Sequence, residues 1–227
     1  MNTLAVYLKS TYRQLKMYIW FVLMIILLGR TAELIVTSLT DSSGISRLSE
    51  ANMLIILLPL IAIVLPLSYY RRIVHLGASR AQYFRGLHGV YAVWAATVAL
   101  LNSLWILLQM HVFHNYSGTV DLVDAFHWND FGFTGSFLYQ TAFYLMAMAL
   151  LSMLASGYSN PVGWLLSALI LAAIPLGTAI PSLRVHVVSF FRTLLFNDSL
   201  LLGVGFNLLL YLLFVAGGWL FTRVRVH

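Results

Sequence analysis

The side chains most able to do chemistry sit in residues 71–86, RRIVHLGASRAQYFRG. Arg71, Arg72, Arg80 and Arg85 lie there without a single Asp or Glu. Such a stretch beside apolar runs orients a membrane protein, because cytoplasmic loops gather Lys and Arg. It also suits contact with anionic lipid or docking of a partner. A second set, His111, His114, Asp121, Asp124 and His127, carries metal-ligand types. Its only ligand spacing is His-x-x-His, which leaves the other ligands undefined. A third pair, Arg30 and Glu33, stands three residues apart on one helix face within an apolar run. It reads either as a substrate or gating contact, or as an ion pair snorkelling to the outer interface.

The elements that position these groups are long and apolar. The chain has 227 residues, of which 61% are hydrophobic and 9% charged, far above the apolar share of a soluble domain. A membrane-spanning helix needs roughly 20 apolar residues. The expected fold is all-α: one integral membrane domain over 1–227, with six transmembrane helices at about 17–36, 52–70, 87–110, 135–155, 162–180 and 200–221. No signal-peptide cleavage pattern is evident. Residues 3–16, with Lys9, Arg13 and Lys16 at helical spacing, read as an interfacial helix or simply a basic flank. Residues 181–199 are too short and too charged to span, so a re-entrant or interfacial helix is expected before the last span.

Local signals sharpen this plan. Gly77 can close a helix in the left-handed conformation. Ser79 and Gln82 have capping-box spacing for the next helix. The expected outcome is a short helix, a sharp corner and a second helix rising from Gln82, serving as a capped turn or as a docking element. Pro59 and Pro66 should bend the second span. Ala92 with Ala96, and Ala95 with Ala99, offer small faces for close packing in the third. Asn160-Pro161 marks a tight turn.

Nine of the thirteen Lys and Arg fall on one side of this layout: Lys9, Arg13, Lys16, Arg71, Arg72, Arg80, Arg85, Arg223 and Arg225. Residues 111–134 hold Asp121, Asp124 and Asp130 with no Lys or Arg. Both termini are therefore expected in the cytoplasm. The net charge of +6 belongs to this topology and to lipid, not to nucleic acid. With no cysteine there is no disulfide or thiolate chemistry. With Lys9 and Lys16 the only lysines, and no phosphate-binding loop motif, no ATP site is expected in this chain.

In layout, and in LGASRAQYFRG at 76–86, the chain resembles the permease subunit of a bacterial ABC exporter of the type V (ABC-2-like) class. A similar LGAS turn occurs in four-span permeases that work by mechanotransmission, but six spans without a large extracellular domain argue against that group. The resemblance implies a bacterial cytoplasmic membrane protein that pairs with a second permease subunit, identical or not. Each permease would dock a cytoplasmic ATPase that carries ATP and Mg. Gly77, Ser79, Arg80, Gln82, Tyr83, Phe84 and Arg85 would form the coupling helix. Catalytic, cofactor and metal sites would then be absent from this chain, which would move a hydrophobic or amphipathic peptide, drug or lipid-like substrate outward. The alternatives are a stand-alone secondary transporter, which needs ion- or proton-handling groups near the midplane, and a membrane-embedded enzyme or its accessory protein. For either, Glu33 is nearly the only acid within a span.

Overall fold

The computed structural model describes residues 12, 16–17, 19–21, 23–25, 27–29, 31–32, 35, 47–48, 52, 54–75, 77–108, 110–111 and 119–225. Among these the protein is almost wholly helical, and five helices are long and apolar enough to cross a membrane. The first begins as α1, Leu57–Val64, passes through a π-helical turn at Leu65–Tyr69 and continues as α2, Tyr70–His75. Next is α3, Arg80–Leu108. A short α4, Leu122–Ala125, and a 3-10 turn at Trp128–Phe131 lead into α5, Gly132–Gly157. Then come α6, Pro161–Ala179, the shorter α7, Pro181–Leu195, and α8, Leu200–Val224. An apolar helix at Ile19–Gly29 covers part of the expected first span; the rest of 17–36, including Arg30 and Glu33, lies outside the described residues, as does most of 3–16.

The core is built around α5. It packs most extensively on α8, and also on α3 and α1. Small side chains permit the approach: a Cβ on Gly203 would sit 2.3 Å from the Tyr139 ring, and Ala142, Ala149, Ser152 and Ser156 are buried along α5. Of the two alanine pairs in α3, Ala95 and Ala99 are fully buried, whereas Ala92 is exposed. Small-residue contact is the usual way for helices to associate where lipid removes the hydrophobic drive between them. By contrast α6 buries only Gly163 and Gly177.

Turns follow the capping signals. Asn160 accepts the Val162 N–H at 3.0 Å, with Pro161 at the first helical position. There Gly163 presses so closely on Gly157 that a Cβ would meet its carbonyl oxygen at 2.1 Å. Residues 181–199 do contain a helix, as the charge and apolar pattern require. Its entry is made by Pro181 and by the Arg184 Nε, which donates to the Thr178 carbonyl at 2.9 Å and satisfies an end carbonyl of α6. Its exit is clamped. The Leu194 carbonyl accepts from the Tyr139 hydroxyl (3.0 Å) and the Asn207 amide (3.2 Å), and the Leu195 carbonyl from the Trp128 indole (2.9 Å). Helix-end carbonyls in an apolar setting need such donors, because no water serves them there.

The loops sort into two ends. At one, Arg47–Leu48 pairs in parallel with Thr119–Val120, Asn52 accepts the Leu122 N–H, and Trp128 reaches the end of α7. At the other, Arg80 bonds the Arg223 carbonyl and Gly157 lies close to Phe221. Among the described residues the loops therefore group as expected, while the N-terminal segment at 1–11 lies outside them.

Candidate functional site: the arginine hairpin and the broken helix

The turn between α2 and α3 is closed from both sides. Gly77 adopts φ +89°, a left-handed conformation that glycine enters without strain. Its N–H bonds the Val74 carbonyl at 3.0 Å, and the Ala78 N–H bonds the Ile73 carbonyl at 3.3 Å. Together these bonds form the Schellman ending. Two residues on, Ser79 N–H donates to Gln82 Oε1 at 2.9 Å, and Gln82 N–H to Ser79 Oγ at 3.2 Å. That is a complete capping box. The hairpin is therefore rigid, and it has the expected order: the short α2, a corner at Gly77 and a second helix, which runs unbroken from Arg80 to Leu108.

This geometry divides the seven residues singled out for docking. Gly77, Ser79, Gln82 and Arg85 are exposed, and Arg80 is half-buried. Tyr83 and Phe84 turn inward, at 2% and 8% exposure. Phe84 packs on His88 and Trp219, with ring centroids 4.5 and 5.3 Å away. Tyr83 meets Tyr70 edge-on at 5.2 Å. The expectation that these two aromatics present themselves to a partner is thus corrected: the helix starts at Arg80, so its 3.6-residue period turns positions 83 and 84 toward the bundle. Arg71 and Arg72 are exposed beside the hairpin.

Behind the hairpin lies a break in the first spanning helix. Pro66 has no N–H for the Ala62 carbonyl one turn back, and the helix widens into the π turn at Leu65–Tyr69. Side chains from other elements supply donors along this break. The Tyr91 hydroxyl donates to the Ala62 carbonyl at 3.2 Å, and the Tyr83 hydroxyl to the Leu65 carbonyl at 3.4 Å. Arg225 Nη1 donates to the Pro66 carbonyl at 2.9 Å, while its guanidinium stacks 4.7 Å from the Tyr70 ring centroid. Arg80 caps the end of α8 through the Arg223 carbonyl. The C-terminal end of α8, the hairpin and the broken helix are therefore one hydrogen-bonded assembly. His88 sits between α3 and α8, its Nδ1 3.5 Å from the Tyr211 hydroxyl.

A second polar layer joins α3 and α5 toward the opposite end. Asn102 Nδ2 donates to Gln140 Oε1 at 2.7 Å; Gln140 Nε2 reaches Ser103 and Ser136, both at 3.2 Å; the Tyr144 hydroxyl donates to Gln140 at 3.3 Å. Sequence reading missed Gln140, Tyr144, Tyr91, His88 and Arg225 as partners. For Tyr91 a signal existed: a proline inside a spanning helix orphans one carbonyl, and a nearby tyrosine on the next helix is a fitting donor.

The metal-ligand types stay apart. Asp121 is buried and its Oδ1 caps Val123 at 2.9 Å. Asp124 accepts from the Asn129 amide, and partial burial pushes its carboxyl above the ordinary range, a rise that this hydrogen bond opposes. His111 is exposed with Nδ1 3.1 Å from the Leu107 carbonyl, and His114 lies outside the described residues. Among the described residues no three His, Asp or Glu gather closely enough to hold a metal ion.

These features define a polytopic, membrane-embedded α-helical protein with a rigid cationic hairpin at one end. No protein-family model matches the chain, and neither does any curated protein or any solved structure.

Proposed function

We propose that the chain is the membrane-spanning permease subunit of an ATP-driven exporter, with six spans, cytoplasmic termini and hydrolysis on a separate ATPase. One observation supports this reading above the others. The end carrying the hairpin exposes Arg71, Arg72 and Arg85 around a rigid, doubly capped turn. All seven acids lie elsewhere in the sequence: Glu33, Asp41, Glu50, Asp121, Asp124, Asp130 and Asp198. A stiff cationic knob suits an acidic cleft on a soluble partner, since charge complementarity steers and registers protein contacts. The donors from Arg225, Tyr83 and Tyr91 connect that knob to a helix already broken at Pro66, so force applied at the knob reaches a flexible point in the membrane. Partners in this reading are the ATPase, a second permease copy or homologue, and the bilayer; the substrate is a hydrophobic or amphipathic molecule moved outward across the bacterial cytoplasmic membrane.

The test is co-expression with a candidate bacterial ABC ATPase. Wild type should retain the ATPase through purification. Arg71→Glu with Arg85→Glu should release it while leaving the melting temperature in detergent unchanged. A wild-type chain that never retains an ATPase and transports alone in liposomes overturns the proposal in favour of a secondary transporter.

A further inference from the structure

At the end of the bundle opposite the arginine hairpin, a cavity of about 460 Å³ opens between the 3-10 turn before α5 and the junction of α7 with α8. That volume falls in the range of small-molecule sites. Its lining has two chemistries. Phe126, Phe131 and Phe196 form an aromatic wall; the exposed Arg192, Asp130 and Asp198 bring one cation and two carboxylates, and His127 and Asn197 complete the lining. The wall is held in place: Phe126 meets Phe196 edge-on at 5.2 Å and Trp128 at 5.2 Å, and Phe131 stacks on Tyr139 at 6.0 Å. The clamp from Trp128 to the Leu195 carbonyl fixes the two sides to each other.

Arg192, Asp130 and Asp198 are exposed side chains on this lining. Among the described residues, neither Asp130 nor Asp198 forms an ion pair with Arg192, although all three line one cavity. The turn into α8 is closed by Asn197, which accepts the Ser199 N–H at 3.0 Å, and not by Asp198. Opposite charges set around one cavity without pairing are arranged for a ligand that itself carries both signs. A guanidinium binds phosphate oxygens strongly through charge-assisted hydrogen bonds. Carboxylates beside aromatic faces suit an ammonium. The two carboxylates also disfavour a ligand that is only anionic.

We propose that this cavity binds a zwitterionic headgroup, a phosphate joined by a short linker to an ammonium, with Arg192 on the phosphate and Asp130 and Asp198 on the ammonium. The source is either a membrane phospholipid or a free phosphoamine. The inference stands apart from any ATPase partnership, since it uses no residue of the hairpin.

The experiment uses the full chain purified in detergent, with binding followed by native mass spectrometry against three probes: phosphatidylethanolamine, phosphatidylglycerol and free phosphoethanolamine. Phosphatidylethanolamine should bind about tenfold more tightly than phosphatidylglycerol, which lacks the ammonium, a difference of about 1.4 kcal/mol. Arg192→Gln should weaken it by a similar factor, as should Asp130→Asn combined with Asp198→Asn, with melting temperatures unchanged. Competition by phosphoethanolamine at comparable affinity assigns the site to a soluble headgroup; failure to compete assigns it to the intact lipid. Equal affinity for the two lipids, or variants that bind as wild type does, overturns the proposal. The lipid comparison on wild type decides the matter even if a variant folds poorly.

Discussion

Replacing Tyr91 with Phe removes one oxygen atom from a fully buried ring and nothing else. That oxygen donates to the Ala62 carbonyl at 3.2 Å, the acceptor that Pro66 cannot supply with an N–H, and it also hydrogen-bonds the Ser152 side chain. Ala62 is also fully buried, so water cannot take the place of the lost donor. A buried acceptor left unsatisfied costs about 1–3 kcal/mol. Polar contacts between membrane helices measure lower, about 0.6 kcal/mol on average and about 1.7 at most. The second scale governs here, because the partly unfolded chain in a micelle also finds partners, so the expected loss is about 1 kcal/mol. The decisive measurement is the double-mutant cycle with Pro66→Ala. In that background residue 66 has an N–H for the Ala62 carbonyl, and only the bond with Ser152 still depends on the tyrosine hydroxyl. Tyr91→Phe should therefore cost about 1 kcal/mol in wild type and clearly less beside Pro66→Ala. Reversible unfolding in mixed detergent micelles reads both values. Strict additivity of the two substitutions would show that the hydroxyl does not stand in for the missing donor, and the account of the broken helix would fall.

Further outcomes follow from the same geometry. Phe84→Ala should destabilise the bundle by about 3–5 kcal/mol, as emptied aromatic sites do, whereas Arg85→Glu on the exposed face should leave thermal unfolding within about 0.5 kcal/mol of wild type; equal effects would refute the inward placement of Phe84. Gly163→Ala should disrupt the turn between α5 and α6, since its Cβ would fall 2.1 Å from a backbone oxygen; a variant with wild-type expression and melting would contradict that contact. Asp124, whose carboxyl is raised chiefly by burial, contributes stability that is complete below the ordinary carboxylate pKa and is lost as pH rises through the raised folded value. Unfolding measured on the acid and neutral sides of that window should show the loss in wild type and its absence in Asp124→Asn.

The parts legible in sequence were those encoded by local chemistry. Gly77, Ser79 and Gln82 announced a helix end and a helix start, and both caps form as their spacing requires. Asn160-Pro161 behaved likewise. The mixed pattern at 181–199 announced a helix that does not span, and the helix is there, mostly exposed. The helix start at Arg80, ahead of the apolar run expected from 87, follows the Ser79 cap. Burial at the hairpin was not legible: Tyr83 packs on α2 and Phe84 on α8 instead of facing solvent. Long-range partners such as Arg225 with Pro66, or Gln140 with Asn102, leave no local trace. They depend on which helices become neighbours, and periodicity does not specify that.

The last prediction concerns sidedness, on which the proposed function depends. The two ends of the bundle differ sharply in charge. Arg71, Arg72, Arg80, Arg85, Arg223 and Arg225 belong to the hairpin end, against Arg47, Arg184 and Arg192 at the other, which also holds Asp121, Asp124, Asp130 and Asp198. A Lys or Arg excess near span ends fixes cytoplasmic orientation, while acids contribute little, so the arginines are what should decide. The chain has no cysteine, so single cysteines are unambiguous reporters. Ser79→Cys, exposed at the hairpin, should be labelled by a membrane-impermeant maleimide only after the cells are opened. Ser117→Cys, within 111–134, should be labelled in intact cells. Neutralising Arg71 and Arg72 together should weaken this preference and yield a mixed population, because about half of the charge asymmetry at that loop is removed. Labelling of Ser79→Cys from outside in intact cells would place the cationic knob away from any cytoplasmic ATPase. The permease reading would then fail, while the fold, its caps and the bonds across the Pro66 break would stand unchanged.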